Sequence, residues 1–145
     1  MAIFYSIIRV DPMISGTKIL VIDDEPDVVS YLSMFLSDEG FKVVTAPDGL
    51  RGLAAARVEK PDLITLDITM PGMSGIEVFT EMRRDPNLTD IPVIIVTGVA
   101  GVHKLLEYRE VRTPEGFMQK PIDRDHLLAT IHKLIAKDTT GGHCE

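Results

Sequence analysis

The chain has one cysteine, Cys144, so no disulfide can close within it. That scarcity fits a reducing compartment, and a cytoplasmic location is expected. Positive charge is also short. Lys and Arg number 15 against 22 Asp and Glu, for a formal net charge of −7. Such a balance argues against nucleic acid as a direct partner, because phosphate backbones are gripped by basic patches. Long hydrophobic runs are absent too. The apolar opening Ala2-Ile3-Phe4-Tyr5-Ser6-Ile7-Ile8 is too short to cross a bilayer, so no membrane partner is expected. It lacks the basic leader and small-residue cleavage site of a signal peptide. Residues 1–16 therefore read as an N-terminal extension, favoured as a structural arm. Repeats and low-complexity tracts are missing. His103, His126, His132 and His143 show no metal-ligand spacing.

What is present is ordinary globular material. A chain of 145 residues, 45% hydrophobic and 26% charged, can build one domain with a real core. We place that domain at residues 17–137, followed by a flexible tail at 138–145. Apolar, β-branched runs predict strands at Lys18–Ile22, Phe41–Thr45, Asp62–Leu66, Pro92–Val96 and Gly116–Gln119. Helical stripes lie between them. Pro26 suits a first helical turn, and Val28, Leu32, Phe35 and Leu36 share one face. Leu50, Leu53 and Ala54 mark a second helix, and Ile76, Phe79 and Met82 a third. Arg83-Arg84 reads as the solvated end of that third helix. A weakly amphipathic fourth helix is expected from Val102 to Arg112. The last helix carries Leu127, Leu128, Ile131, Leu134 and Ile135, with Asp123 as its N-cap.

Strands that are apolar throughout are covered on both faces, which implies a parallel sheet. Right-handed crossovers then give an α/β fold, a three-layer α/β/α sandwich. Five strands in this pattern suit the flavodoxin-like order 2-1-3-4-5, an expectation from fold habit rather than from periodicity.

The polar residues that break the pattern all sit at carboxyl ends of strands: Asp23 and Asp24, then Asp67, Thr97 and Lys120. A parallel sheet brings those ends to one rim, where ligands bind in open α/β sheets. Three carboxylates gathered there repel one another, and a hard divalent cation resolves the conflict. Mg²⁺ is the natural choice, since it keeps waters and accepts phosphate oxygens. A carboxylate can itself act as nucleophile and form an aspartyl phosphate. Lys120 would then meet a phosphate oxygen as a point charge, and Thr97 would donate to another.

The segments Ile19-Leu20-Val21-Ile22-Asp23-Asp24-Glu25-Pro26, Asp67-Ile68-Thr69-Met70-Pro71-Gly72-Met73-Ser74-Gly75, Val96-Thr97-Gly98 and Gly116-Phe117-Met118-Gln119-Lys120-Pro121 together resemble a response-regulator receiver domain of two-component signalling, the CheY-like superfamily. The resemblance spans nearly everything from Lys18 to Lys137. It implies that Asp67 accepts phosphate from the phosphohistidine of a sensor histidine kinase or phosphotransfer protein. It implies Mg²⁺ on Asp24, Asp67 and the backbone carbonyl of Thr69, with Asp23 assisting through water. Lys120 would bind the phosphoryl group, across a Lys120-Pro121 bond expected to be cis. Thr97 and Phe117 would be the switch pair, and a downstream effector protein or domain the output, with a homodimer allowed. Such a domain is not an enzyme beyond catalysing its own phosphorylation and dephosphorylation.

The chain departs from the family pattern in places. Phe117 stands where tyrosine is usual, and Gly98 where alanine is. Thr113-Pro114 interrupts the fourth helical region. Thr69 and Val99 occupy positions that tune dephosphorylation in the family. An aspartyl phosphatase is a competing class, but it wants a second acid two residues after the nucleophile, where Thr69 stands. A receiver cut from a larger regulator or hybrid kinase, or a receiver-like module that takes no phosphate, would also fit the sequence.

Overall fold

Strand and helix alternate along the whole described chain, residues 16–107 and 110–144 of a computed structural model. The strands are β1 (Lys18–Ile22), β2 (Lys42–Ala46), β3 (Leu63–Leu66), β4 (Val93–Thr97) and β5 (Gly116–Gln119). The helices are α1 (Pro26–Asp38), α2 (Gly49–Glu59), α3 (Gly75–Arg84), α4 (Val102–Glu107) and α5 (Arg124–Cys144). The proposed arm at residues 1–15 lies outside the described residues.

All pairings are parallel, and the sheet order is β2-β1-β3-β4-β5, as expected. The order follows from two opposed sets of crossovers, and it leaves both faces of the central strands to be covered. Side chains alternate across each strand, so each strand feeds two cores. Leu20, Ile22, Ile64, Leu66 and Ile95 pack with residues of α2, α3 and α4. Ile19, Val21, Leu63, Ile94 and Val96 pack with Leu32 and Leu36 of α1 and Leu127 and Ile131 of α5. That is the three-layer sandwich the continuous apolar strands imply.

Three helices differ from their expected form. In α2 the buried face is Gly49, Gly52, Leu53 and Ala56, whereas Leu50 is 72% exposed and Ala54 also faces out. The cause is close approach. A Cβ on Gly52 would stand 2.7 Å from Ile22 Cδ1, so the helix presses its smallest residues on the sheet and turns Leu50 to water. Helix α4 is described over Val102–Glu107, and residues 110–112 are not helical, so it does not reach the expected Arg112. Helix α5 continues to Cys144, through the stretch expected to be a flexible tail.

Arg83 corrects the expectation of a solvated helix end. Its side chain is only 1% exposed. Its guanidinium donates to the carbonyls of Arg112, Thr89, Ile91 and Thr113 and to Glu115 Oε1 at 2.7 Å. It also lies 4.6 Å from the Phe79 ring centroid. Glu115 Oε1 accepts the Val93 N–H as well, at 2.7 Å. One buried cation thus ties the end of α3 to the starts of β4 and β5. The planar five-donor fork of Arg suits this role, and Lys could not supply it. Arg84, the next residue, is exposed.

Breaking a buried, hydrogen-bonded ion pair by removing one partner leaves the other uncompensated. Arg83→Ala is expected to cost about 3 kcal/mol in urea unfolding, against less than about 0.5 kcal/mol for Arg84→Ala. Equally small losses at both positions would show the guanidinium network to be incidental.

Candidate functional site at the carboxyl rim of the sheet

Backbone ladders carry the acids to one place. The N–H of Asp23 donates to Ala46 O at 3.2 Å, and the N–H of Asp67 to Ile22 O at 2.9 Å. The N–H of Lys120 donates to Thr97 O at 2.9 Å. Each of these bonds extends a parallel pairing one residue beyond the strand. Asp23, Asp67 and Lys120 therefore emerge side by side at the rim, in agreement with the sequence pattern. Gly75 sets the floor. A Cβ there would overlap the Asp67 carbonyl oxygen, so α3 can begin against β3 only with glycine at this position.

Asp23 and Asp67 are each 3% exposed, while Asp24 is half-buried and Glu25 is exposed. Oxygen atoms of Asp23, Asp24, Glu25 and Asp67 all lie within 4.8 Å of one another. Lys120 is the counter-charge. Its Nζ stands 2.6 Å from Glu25 Oε1, 3.0 Å from Asp23 Oδ2 and 3.7 Å from Asp67 Oδ2. The Lys120-Pro121 bond is cis, as expected.

The electrostatics follow from this crowding. Burial, and then the negative charge of Asp23, push the Asp67 carboxyl from its ordinary 3.8 up to about 6. Lys120 and the backbone N–H groups of Thr69 and Ile68 oppose the rise without cancelling it. Burial pulls Lys120 down, but hydrogen bonds to Glu25 and Asp23 and the charges of Asp23 and Asp67 outweigh it, so the ammonium is held more firmly than usual. The Lys120 ammonium thus contacts three carboxylates, those of Asp23, Glu25 and Asp67, of the four acids clustered among the described residues. Hard oxygen donors this close fit a divalent cation of the Mg²⁺ kind.

Thr97 and Phe117 lie in a neighbouring crevice of about 250 Å³, which Val99 and Gln119 also line. Thr97 is buried, and its Oγ1 accepts the Val99 N–H at 3.2 Å. Phe117 is 38% exposed. The crevice opens between α4 and the ends of β4 and β5, and Thr97 joins it to the rim through its backbone bond with Lys120. Thr69 is exposed beside Asp67.

Sequence reasoning passed over Glu25. It occupies the N-cap of α1, a position whose side chain usually bonds helix N–H groups. Here it makes no such bond and reaches Lys120 instead. Its signal in the sequence is only that it follows Asp23-Asp24.

A five-stranded parallel sheet with an acid cluster and a lysine at its carboxyl rim defines a receiver-type domain of two-component signalling. The sequence profile of the response regulator receiver domain matches residues 19–132, and the chain belongs to that family. It is 36% identical over 120 residues to Protein PilH of Pseudomonas aeruginosa, covering 82% of this chain and 98% of PilH. It is 38% identical over 119 residues to Response regulator PleD of Caulobacter vibrioides, covering 82% of this chain but 26% of PleD. The structure of the Vibrio cholerae chemotaxis protein CheY4 superposes with a TM-score of 0.74 at 30% identity, covering 83% of this chain and 99% of CheY4.

The raised Asp67 carboxyl makes a stability prediction for the metal-free protein. Its ionised form costs more folded than unfolded. Its contribution to stability is therefore full below about pH 4 and is lost as pH rises through about 6. Asp67→Asn should stabilise the protein by about 2 kcal/mol near neutral pH, and the gain should vanish at low pH. Urea unfolding with chelator present, at several pH values, measures it. A gain that stays constant across that range contradicts the assignment.

Proposed function

We propose that this receiver accepts a phosphoryl group on Asp67 from the phosphohistidine of a sensor histidine kinase or phosphotransfer protein. The reaction depends on Mg²⁺ and switches a protein-interaction surface read by a downstream effector protein or domain. The observation that carries this reading is the buried Asp67 carboxylate, 3.7 Å from the Lys120 ammonium and surrounded by further acids within 4.8 Å.

A carboxylate oxygen of Asp67 attacks phosphorus in line. The bond from phosphorus to the donor's ring nitrogen breaks, and its electron pair returns to the imidazole. The product is an acyl phosphate on Asp67. Lys120 meets one phosphoryl oxygen as a point charge, and the Thr97 hydroxyl turns from Val99 toward another. Asp24, Asp67 and the backbone carbonyl of Thr69, with Asp23 through water, would hold Mg²⁺, which would supply charge neutralisation for the transferring group. Thr97 leaving its place vacates space in the crevice for Phe117 to turn inward. Phe117 carries no hydroxyl, so burying it leaves no polar group to satisfy. The chain is not an enzyme with a separate substrate under this reading; it catalyses only its own phosphorylation and dephosphorylation. The acidic net charge supports a protein partner over direct nucleic-acid contact, and the one tail cysteine supports a cytoplasmic setting.

The test is incubation with acetyl phosphate and Mg²⁺, read by intact mass. The wild-type chain should gain one phosphoryl group, which chelator should prevent. Asp67→Asn should abolish the gain, and Lys120→Ala should reduce it at least about tenfold, as loss of a charged contact to a transferring phosphoryl group does. Labelling of the D67N variant equal to wild type would falsify Asp67 as the acceptor. Release of many phosphates per chain would favour the phosphatase class instead.

A further inference from the structure

The shortest ionic contact at the rim involves a residue that the proposed chemistry does not use. Glu25 Oε1 stands 2.6 Å from Lys120 Nζ, closer than Asp23 at 3.0 Å or Asp67 at 3.7 Å. The contact links residues 95 positions apart and bridges the loop after β1 to the loop after β5. Three observations separate Glu25 from the other acids. Its side chain is 58% exposed, whereas those of Asp23 and Asp67 are 3% exposed. Its backbone is fixed, since its N–H donates to Asp23 Oδ1 at 2.9 Å and its carbonyl accepts the Val29 N–H at 3.1 Å. Its side chain is not fixed by the helix it begins, because it makes no cap bond there.

We propose that Glu25 is a displaceable latch on Lys120. In the unphosphorylated protein it holds the ammonium, and it must let go before Lys120 can engage a phosphoryl oxygen. The inference rests on the phosphoacceptor reading of Asp67. Lys120 is largely buried and has three donors, with Glu25 and Asp23 holding the two closest contacts. A phosphoryl group on Asp67 brings new anionic oxygens to the same ammonium. Asp23 cannot leave without stranding a buried charge, which is costly. Glu25 can leave into water through the open side of the rim, toward the groove that it lines with Val28, Tyr31 and Ile122. The exchange replaces one charge-assisted bond by another. Its net effect is that Glu25 stabilises the resting state and opposes phosphoryl binding. Glu25 is thus a positioning residue, acting through Lys120.

The test compares wild type with Glu25→Ala and Glu25→Asp. Aspartate keeps the charge but lacks the reach to hold the 2.6 Å contact. Binding of beryllofluoride, a phosphoryl analogue, is titrated in Mg²⁺ by fluorine NMR. The resting Lys120 ammonium is followed by its nitrogen resonance without either reagent. Both variants should bind beryllofluoride about two- to fivefold more tightly, the range expected for an exposed ion pair. Both should also speed hydrogen exchange at the resting Lys120 ammonium. Tighter binding in E25A alone, with E25D equal to wild type, reduces Glu25 to simple repulsion of the anion and overturns the latch. Unchanged or weaker binding in both variants overturns it as well. No binding by wild type overturns the Asp67 reading itself, and the latch with it.

Discussion

Four carboxyl groups share the described rim of this sheet with one ammonium, and that imbalance shapes the rest. A parallel sheet delivers every strand's carboxyl end to the same side, so acids at the ends of β1 and β3 cannot avoid one another. The backbone bonds from Asp23 to Ala46 and from Asp67 to Ile22 remove the freedom to move apart. Low exposure of Asp23 and Asp67 removes the water that would screen them. What remains is to hold a proton, as the upward shift of Asp67 shows, or to take a cation. A carboxyl is a poor nucleophile while protonated, and a cation at the rim would favour the ionised form that attacks phosphorus in the proposed reaction. Backbone packing, not charge, keeps position 75 a glycine, because a Cβ there would meet the main chain of Asp67 and Ile68.

The crevice holding Thr97 and Phe117 is separate from the rim but not independent of it. The Lys120 N–H donates to the Thr97 carbonyl, which ties together the two strand ends that carry the cation and the hydroxyl. The Thr97 hydroxyl accepts a bond from Val99 in the loop after β4. In the proposed cycle, drawing that hydroxyl toward a phosphoryl group releases Val99 on the side of the loop that faces α4. The described part of α4, Val102–Glu107, is anchored in the core by Val102 and Leu106. Val102 also lines the crevice, so in the proposed cycle this helix stands where a change there would be felt.

The fold and most of the site were legible because both depend on strong, local signals. Continuous apolar strands announce burial on both faces, and polar residues at their ends announce the rim. Asp23, Asp67 and Lys120 stand together for that reason alone. The misreadings share a different cause. Leu50 reads as core and faces water because packing at Gly52 decides the rotation of α2, and glycine contributes nothing to an apolar stripe. Arg83 reads as solvated and is buried because its partners come from residues 89–115, which no helical pattern contains. Glu25 sits at a cap position and instead contacts a lysine 95 residues away. Periodicity reports which face a residue shares with its neighbours. It does not report what the tertiary fold brings to that face.

Strand β5 shows how the two kinds of ion pair divide their tasks. Glu115, just before it, meets the buried guanidinium of Arg83, and Lys120, just after it, meets the exposed carboxylate of Glu25. In the first pair the guanidinium is closed off from water, the Glu115 carboxylate is partly exposed, and several backbone carbonyls share the cation. Removing Glu115 would strand the buried guanidinium, and removing Arg83 would leave its backbone carbonyl partners unmet, so losing either costs folding stability. The second pair has one partner free to return to solvent at little expense. Permanence at the start of β5 fixes the strand's register against β4, and so fixes where Phe117 and Lys120 stand. Exchangeability at its end leaves Lys120 able to change partners without moving the strand. A switch needs both properties in one element, because a cation that changed partners on an unanchored strand would shift the strand rather than the ligand.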